Sequence, residues 1–164
     1  MDNIILIGMP GAGKSTVGVL LAKTLGYAFL DTDLVIQQRE GALLQPLVDS
    51  LGVEAFLDVE ADAICPVECR GTVIAPGGSA VCRERAMSHL RALGRIVYLH
   101  LPLEELERRL SNISTRGIAM APGETLADLF ARRAPLYRNY ADLTVDVGRQ
   151  SLEETVALVL RALR

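Results

Sequence analysis

A chain of 164 residues has the length of one domain and can bury roughly 68–70% of its unfolded surface on folding. Its residues are 50% hydrophobic and 23% charged, which excludes a disordered polymer, and a net charge of −3 gives no reason to expect nucleic acid or an anionic membrane as a partner. Gly, Pro or charge interrupts every apolar run short of about 18 residues, and only four aliphatics follow Asn3, so neither a membrane span nor a secretory leader is expected and a cytoplasmic location follows.

The first strand is expected over Ile4–Ile7. It leads directly into Gly8-Met9-Pro10-Gly11-Ala12-Gly13-Lys14-Ser15, which fits G-x-x-x-x-G-K-[ST], and then into a helix over Ser15–Leu25 that Gly26 ends. Gly8, Gly11 and Gly13 let the backbone turn with its N–H groups inward, and the helix start adds its positive dipole end to the same hollow. The expected ligand is a nucleoside triphosphate, contacted by Gly11, Ala12, Gly13, Lys14, Ser15 and Thr16. Lys14 would reach the β and γ phosphates and the Ser15 hydroxyl would ligate Mg²⁺. A tight connection alone would explain one or two glycines, but neither the lysine nor the hydroxyl; Lys14 and Lys23 are the only lysines in the chain.

A second strand over Tyr27–Leu30 delivers Asp31-Thr32-Asp33 to the carboxyl end of the sheet, where open α/β sheets bind ligands. In an extended D-x-D the two carboxylates point the same way, one for a metal and one for an acceptor hydroxyl. A helix N-cap is the competing use of such an aspartate. A third strand, Thr72–Ala75, precedes Gly77-Gly78. A helix over Arg83–Leu93 should end at Gly94, and a fourth strand runs over Arg95–Leu101. Ser111–Glu124 has no periodicity and reads as a functional or mobile loop. A fifth strand, Leu143–Val147, comes before a capping box, Ser151–Glu154, and a last helix with an apolar face of Leu152, Val156, Val159, Leu160 and Leu163.

Strands alternating with helices predict an α/β fold: a three-layer, doubly wound domain over residues 1–164 around a five-stranded parallel sheet. Cys65, Cys69 and Cys82 are odd in number and lack a CxxC pair, so they read as ordinary thiols rather than zinc ligands. His89 and His100 read as packing or surface residues.

With the phosphate loop and D-T-D in place, the sequence resembles the shikimate kinase family, of the nucleoside-monophosphate-kinase-like P-loop fold with a small lid. The resemblance spans nearly the whole chain and includes Gly77-Gly78, Arg116 and Arg133-Ala134-Pro135-Leu136-Tyr137. It implies ATP as donor, Mg²⁺ held by Asp31 with Ser15, and Asp33 against the attacking hydroxyl. Gly77, Gly78 and Arg133 would bind the acceptor, Arg133 through its carboxylate. Arg116 would close from a lid at about 111–124, and Arg109 would pack near the adenine. Lys14, Asp33 and Arg116 are then the expected catalytic groups, in a monomer acting on a small molecule, most simply shikimate.

Three motifs depart from the family pattern. The motif F-R-x-x-E reads Phe56-Leu57-Asp58-Val59-Glu60, so an arginine for the acceptor carboxylate is a leucine. The glycine triplet is Gly77-Gly78-Ser79, and the lid motif R-P-L-L is Arg116-Gly117-Ile118-Ala119. Losing one charge-assisted hydrogen bond costs ~1.5–3 kcal/mol. All three lie on the acceptor side and the lid. Two alternatives therefore stay open: a kinase for another small alcohol, or a nucleotide-binding protein without turnover.

Overall fold

The structure is a computed structural model that describes residues 2–110 and 117–164. Five strands, β1 (Asn3–Ile7), β2 (Ala28–Asp31), β3 (Thr72–Ala75), β4 (Gly94–His100) and β5 (Leu143–Asp146), form one sheet in the order β2-β3-β1-β4-β5. Every pair is parallel. Parallel neighbours need crossovers, and here the crossovers are helical. The chain adds α1 (Lys14–Leu25), α2 (Thr32–Glu40), α3 (Leu44–Leu51), α4 (Val53–Ile64), α5 (Glu84–Leu93), α6 (Leu103–Arg109), α7 (Leu126–Tyr140) and α8 (Leu152–Leu163).

Helices cover both faces of the sheet, with α1 packed on α8 and with α5 and α7 packed on β4. This is why β1 and β3 are continuous apolar runs rather than alternating ones: all their residues are buried. The strand over Thr72–Ala75 has its expected bounds, and the other four differ from expectation by one residue at one or both ends. Ser151 and Glu154 form the expected reciprocal cap, with the Ser151 Oγ accepting from the Glu154 N–H at 3.1 Å.

Three details differ from the sequence expectation. Arg83 lies outside α5 as its N-cap. Gly94 does not take the left-handed conformation expected after a helix; it opens β4 in extended backbone, pressed against the Asn3 carbonyl. Gly26 does take it, at φ 70°. The segment between β2 and β3 holds α2, α3 and α4, none of which the pattern singled out. These helices enclose a second, smaller core of Ile36, Leu44, Leu47, Val48, Phe56, Leu57 and Ala63, closed by Ala119.

Arg116 and the first half of the expected lid lie outside the described residues. From Gly117 the chain is anchored: its N–H donates to Gln45 Oε1 at 2.8 Å, and Ile118 and Ala119 are buried. Gly117 has φ 69°, a value closed to proline, and a Cβ there would sit 2.5 Å from the Leu44 Cβ. The glycine in place of the family's proline therefore fits this backbone.

Candidate active site

Because the strands are parallel, β1, β2 and β3 all end on the same edge of the sheet. Asp31 is in register with Ala75, so the residues just beyond, Asp33 and Gly77, meet there. The loop after β1 joins them. Together with Arg109, Gly117–Ala119 and Arg133 they line a cleft of about 410 Å³.

On one side of this cleft is the phosphate loop. Gly13, at φ 91°, caps α1 without a side-chain hydrogen bond, leaving the first amides of the helix free for a ligand. Lys14 Nζ donates to the carbonyls of Gly8 (2.7 Å) and Met9 (2.9 Å), which spends two of its three donors across the loop. Burial lowers the Lys14 ammonium to about 8, against the pull of Asp33, so an anion beside it would be strongly favoured. Arg109 ends α6 and bridges two loops, donating to the Gly11 carbonyl (3.2 Å) and the Gly148 carbonyl (2.9 Å). Glu105 steadies its Nε at 3.3 Å. Arg108 and Arg109 in turn hold the Glu105 carboxyl down at about 2.

The acidic pair does not adopt the extended geometry expected of D-x-D. The chain turns into α2 at Thr32, and Asp31 is the N-cap, its Oδ1 accepting from the Asp33 N–H at 2.9 Å. The capping use and the site use coexist, because the other oxygen, Oδ2, accepts from the Ser15 hydroxyl at 2.9 Å. A hydroxyl and a carboxylate oxygen side by side at the mouth of the cleft form a hard donor set that fits a small divalent cation completed by water and phosphate oxygens. Asp33 lines the cleft two residues on, in the first turn of α2. Burial, with the negative charge of Asp31 adding to it, raises its carboxyl to about 6.

Across the cleft, Arg133 on α7 is only 1% exposed. Its Nη2 donates to the Ala119 carbonyl at 3.0 Å, while its Nε has no hydrogen-bond partner among the described residues. A buried guanidinium N–H without a partner is costly, and a ligand carboxylate would relieve it. One turn later on the same helix, Tyr137 donates its hydroxyl to the Gly78 carbonyl at 2.6 Å. Thr32 holds the neighbouring residue, its Oγ1 accepting from the Gly77 N–H at 3.2 Å. The Gly77-Gly78 strip is thus pinned from both sides, and it has no room for side chains: a Cβ on Gly78 would lie 3.2 Å from Arg133 Nη1.

Every expected site residue that is described falls at this cleft or, for Ala12, inside the loop that forms its wall. Sequence reading passed over Thr32, Glu60 and Tyr137. Glu60 left a signal, since it is a charged residue on a helical face otherwise made of Phe56, Ala61, Ala63 and Ile64. It is 1% exposed, and burial raises its carboxyl to about 7. Thr32 and Tyr137 left none outside their motifs.

The family model for shikimate kinase matches residues 10–164. Shikimate kinase of Pseudomonas aeruginosa is 41% identical over an alignment covering 100% of this chain and 97% of that protein. Among solved structures, shikimate kinase from Acinetobacter baumannii in complex with shikimate superposes with a TM-score of 0.91 at 31% identity, covering 99% of this chain and 93% of the other. Shikimate kinase from Bacteroides thetaiotaomicron gives 0.81 at 28% identity, over 99% and 98% of the two chains.

Proposed function

From this chain's membership of the shikimate kinase family, we propose that it transfers the γ-phosphoryl group of ATP to a hydroxyl of shikimate, giving shikimate 3-phosphate and ADP. The observation that carries the reading is the convergence on one cleft of Lys14, Asp33 and the buried Arg133 guanidinium, whose Nε has no hydrogen-bond partner among the described residues.

Lys14 and the loop amides hold the phosphates and offset the charge that spreads over the γ-phosphoryl as it moves. Asp33, raised to about 6, is ionised at neutral pH yet basic enough to take the proton of the attacking hydroxyl. Arg133 grips the acceptor carboxylate, and the Gly77-Gly78 strip, which carries no side chains, lets the ring come close to the backbone. Together these contacts fix the hydroxyl for in-line attack. Ser15 and Asp31 would hold Mg²⁺, which neutralises β and γ phosphate charge when bound. Arg109, which lines the cleft beside the phosphate loop, is assigned to the adenine on the family pattern. Arg116 is assigned to the lid on the family pattern alone.

The expected monomer acting on a small molecule stays part of the proposal, since the described groups line the cleft without a second copy. No helix among the described residues is long and apolar enough to cross a membrane. We propose a cytoplasmic location, which the three cysteines support by standing as free thiols.

One observation favours a different small-alcohol acceptor as a second reading. Leu57 is 3% exposed within the small core rather than in the cleft, so Arg133 is the one guanidinium at the acceptor end among the described residues. A coupled assay over a panel of hydroxylated acids and sugars separates the two readings. Saturable turnover of shikimate at sub-millimolar concentration supports the first, and a better sugar or hydroxy acid substrate supports the second. ATP binding without transfer to any acceptor removes both.

A further inference from the structure

In the family pattern, F-R-x-x-E places an arginine three residues before the glutamate, next to it on one helical face. Here that place is taken by Leu57, which packs with Ile36, Phe56 and Ala119. Glu60 is left fully buried on α4 with no guanidinium from its own helix. Opposite it stands the second departure, Ser79 in place of the third glycine. Ser79 is itself 5% exposed, and its hydroxyl donates to Glu60 Oε1 at 2.6 Å. The other oxygen, Oε2, faces Gly77: a Cβ there would collide with it and lie 2.8 Å from Asp33 Oδ1. The two departures are therefore in contact through one carboxyl group.

We propose that Ser79 is a positioning residue for the acceptor, replacing the absent arginine as the group that holds Glu60 and aims its second oxygen at an acceptor hydroxyl beside Asp33. The inference rests on the proposed kinase reaction and deepens it. Recognition at this end passes from two charged contacts with a carboxylate to one, from Arg133, plus a hydrogen bond between Glu60 and a ring hydroxyl. The acceptor is then selected by its hydroxyl pattern as much as by its charge. The electrostatics agree: the Ser79 hydroxyl stabilises the ionised form of Glu60, opposing the burial and the Asp33 charge that push it up, while Arg133 and Lys14 act at longer range in the same sense as Ser79.

The test is a double-substitution cycle with Ser79→Ala and Leu57→Arg, read as KM for shikimate and for ATP and as kcat. Ser79→Ala alone should raise the shikimate KM roughly tenfold, with the ATP KM unchanged. In the Leu57→Arg background the same substitution should change it less than about threefold, because the guanidinium now holds Glu60. Ser79→Thr, which keeps the hydroxyl, should behave as the parent. Ser79→Gly restores the family's triplet, so its folding is not in question, and it should match Ser79→Ala. Equal effects of Ser79→Ala in both backgrounds, or parallel changes in both KM values, overturn the proposal. If no variant turns over shikimate, the shikimate reading fails, and ¹³C-carboxyl NMR of Glu60 still decides the pairing. Its titration midpoint must move up in Ser79→Ala, and an unmoved midpoint overturns it.

Discussion

At the donor end of the cleft, binding groups are mostly backbone: the loop amides, the start of α1 and two carbonyls that hold Lys14 in place. At the acceptor end they are side chains from separated elements: Asp33 from α2, Glu60 from α4, Ser79 beyond β3, and Arg133 and Tyr137 from α7. A backbone cradle needs glycines and a lysine at fixed spacing, and it tolerates little change. A side-chain pocket can lose a member and recruit another, and the departures from the family pattern fall at that end and in the lid.

The largest expected effect tests the donor end. Lys14→Met should lower kcat by about 10³-fold or more, because the loop loses its one ammonium, buried where no water can replace it. A loss below tenfold in steady-state kinetics would mean that the amides alone carry the phosphates.

The acceptor end should show its cost in stability. Glu60 goes from an ordinary 4.5 in the unfolded chain to about 7 in the fold, so it prefers its proton when folded. Its burden is absent below pH 4.5, grows between 4.5 and 7, and is full above 7, where it amounts to roughly 3 kcal/mol. Asp33, raised to about 6, adds a fall of the same sign at lower pH. Glu60→Gln should flatten the loss of stability between pH 4.5 and 7 in denaturant titrations. An unchanged slope would show Glu60 to be solvated.

Tyr137→Phe should have the smallest effect. It removes the hydroxyl that holds the Gly78 carbonyl at 2.6 Å and should cost about 1 kcal/mol, or roughly 2–4 °C in Tm for a chain of this size. The shikimate KM should rise a few-fold and the ATP KM should not. Equal rises would tie Tyr137 to the whole cleft rather than to its acceptor end.

The same contrast explains what could be read from the sequence. The phosphate loop is contiguous, so its spacing revealed the site, and the five strands followed from apolar runs that only a covered parallel sheet requires. The acceptor pocket is assembled by tertiary packing across residues 33–137. Asp31-Thr32-Asp33 reads either as an extended pair or as a helix N-cap, and three letters do not decide between them; in the structure α2 starts at Thr32 and Asp31 is its cap. Helices α2 to α4 escaped notice because most of their buried apolar residues serve a small private core, and only Ala61 and Ile64 of α4 join the main one. Leu57 looked like a simple loss, and only the fold brings Ser79 to Glu60.

Calorimetric titration with shikimate in the presence of ADP and Mg²⁺, on the parent chain and on Arg133→Ala, tests the central claim most directly. Saturable one-site binding in the parent, weakened at least tenfold in Arg133→Ala while ADP binding is unchanged, is the expected result. ADP binding of normal strength with no heat from shikimate in the parent would contradict it.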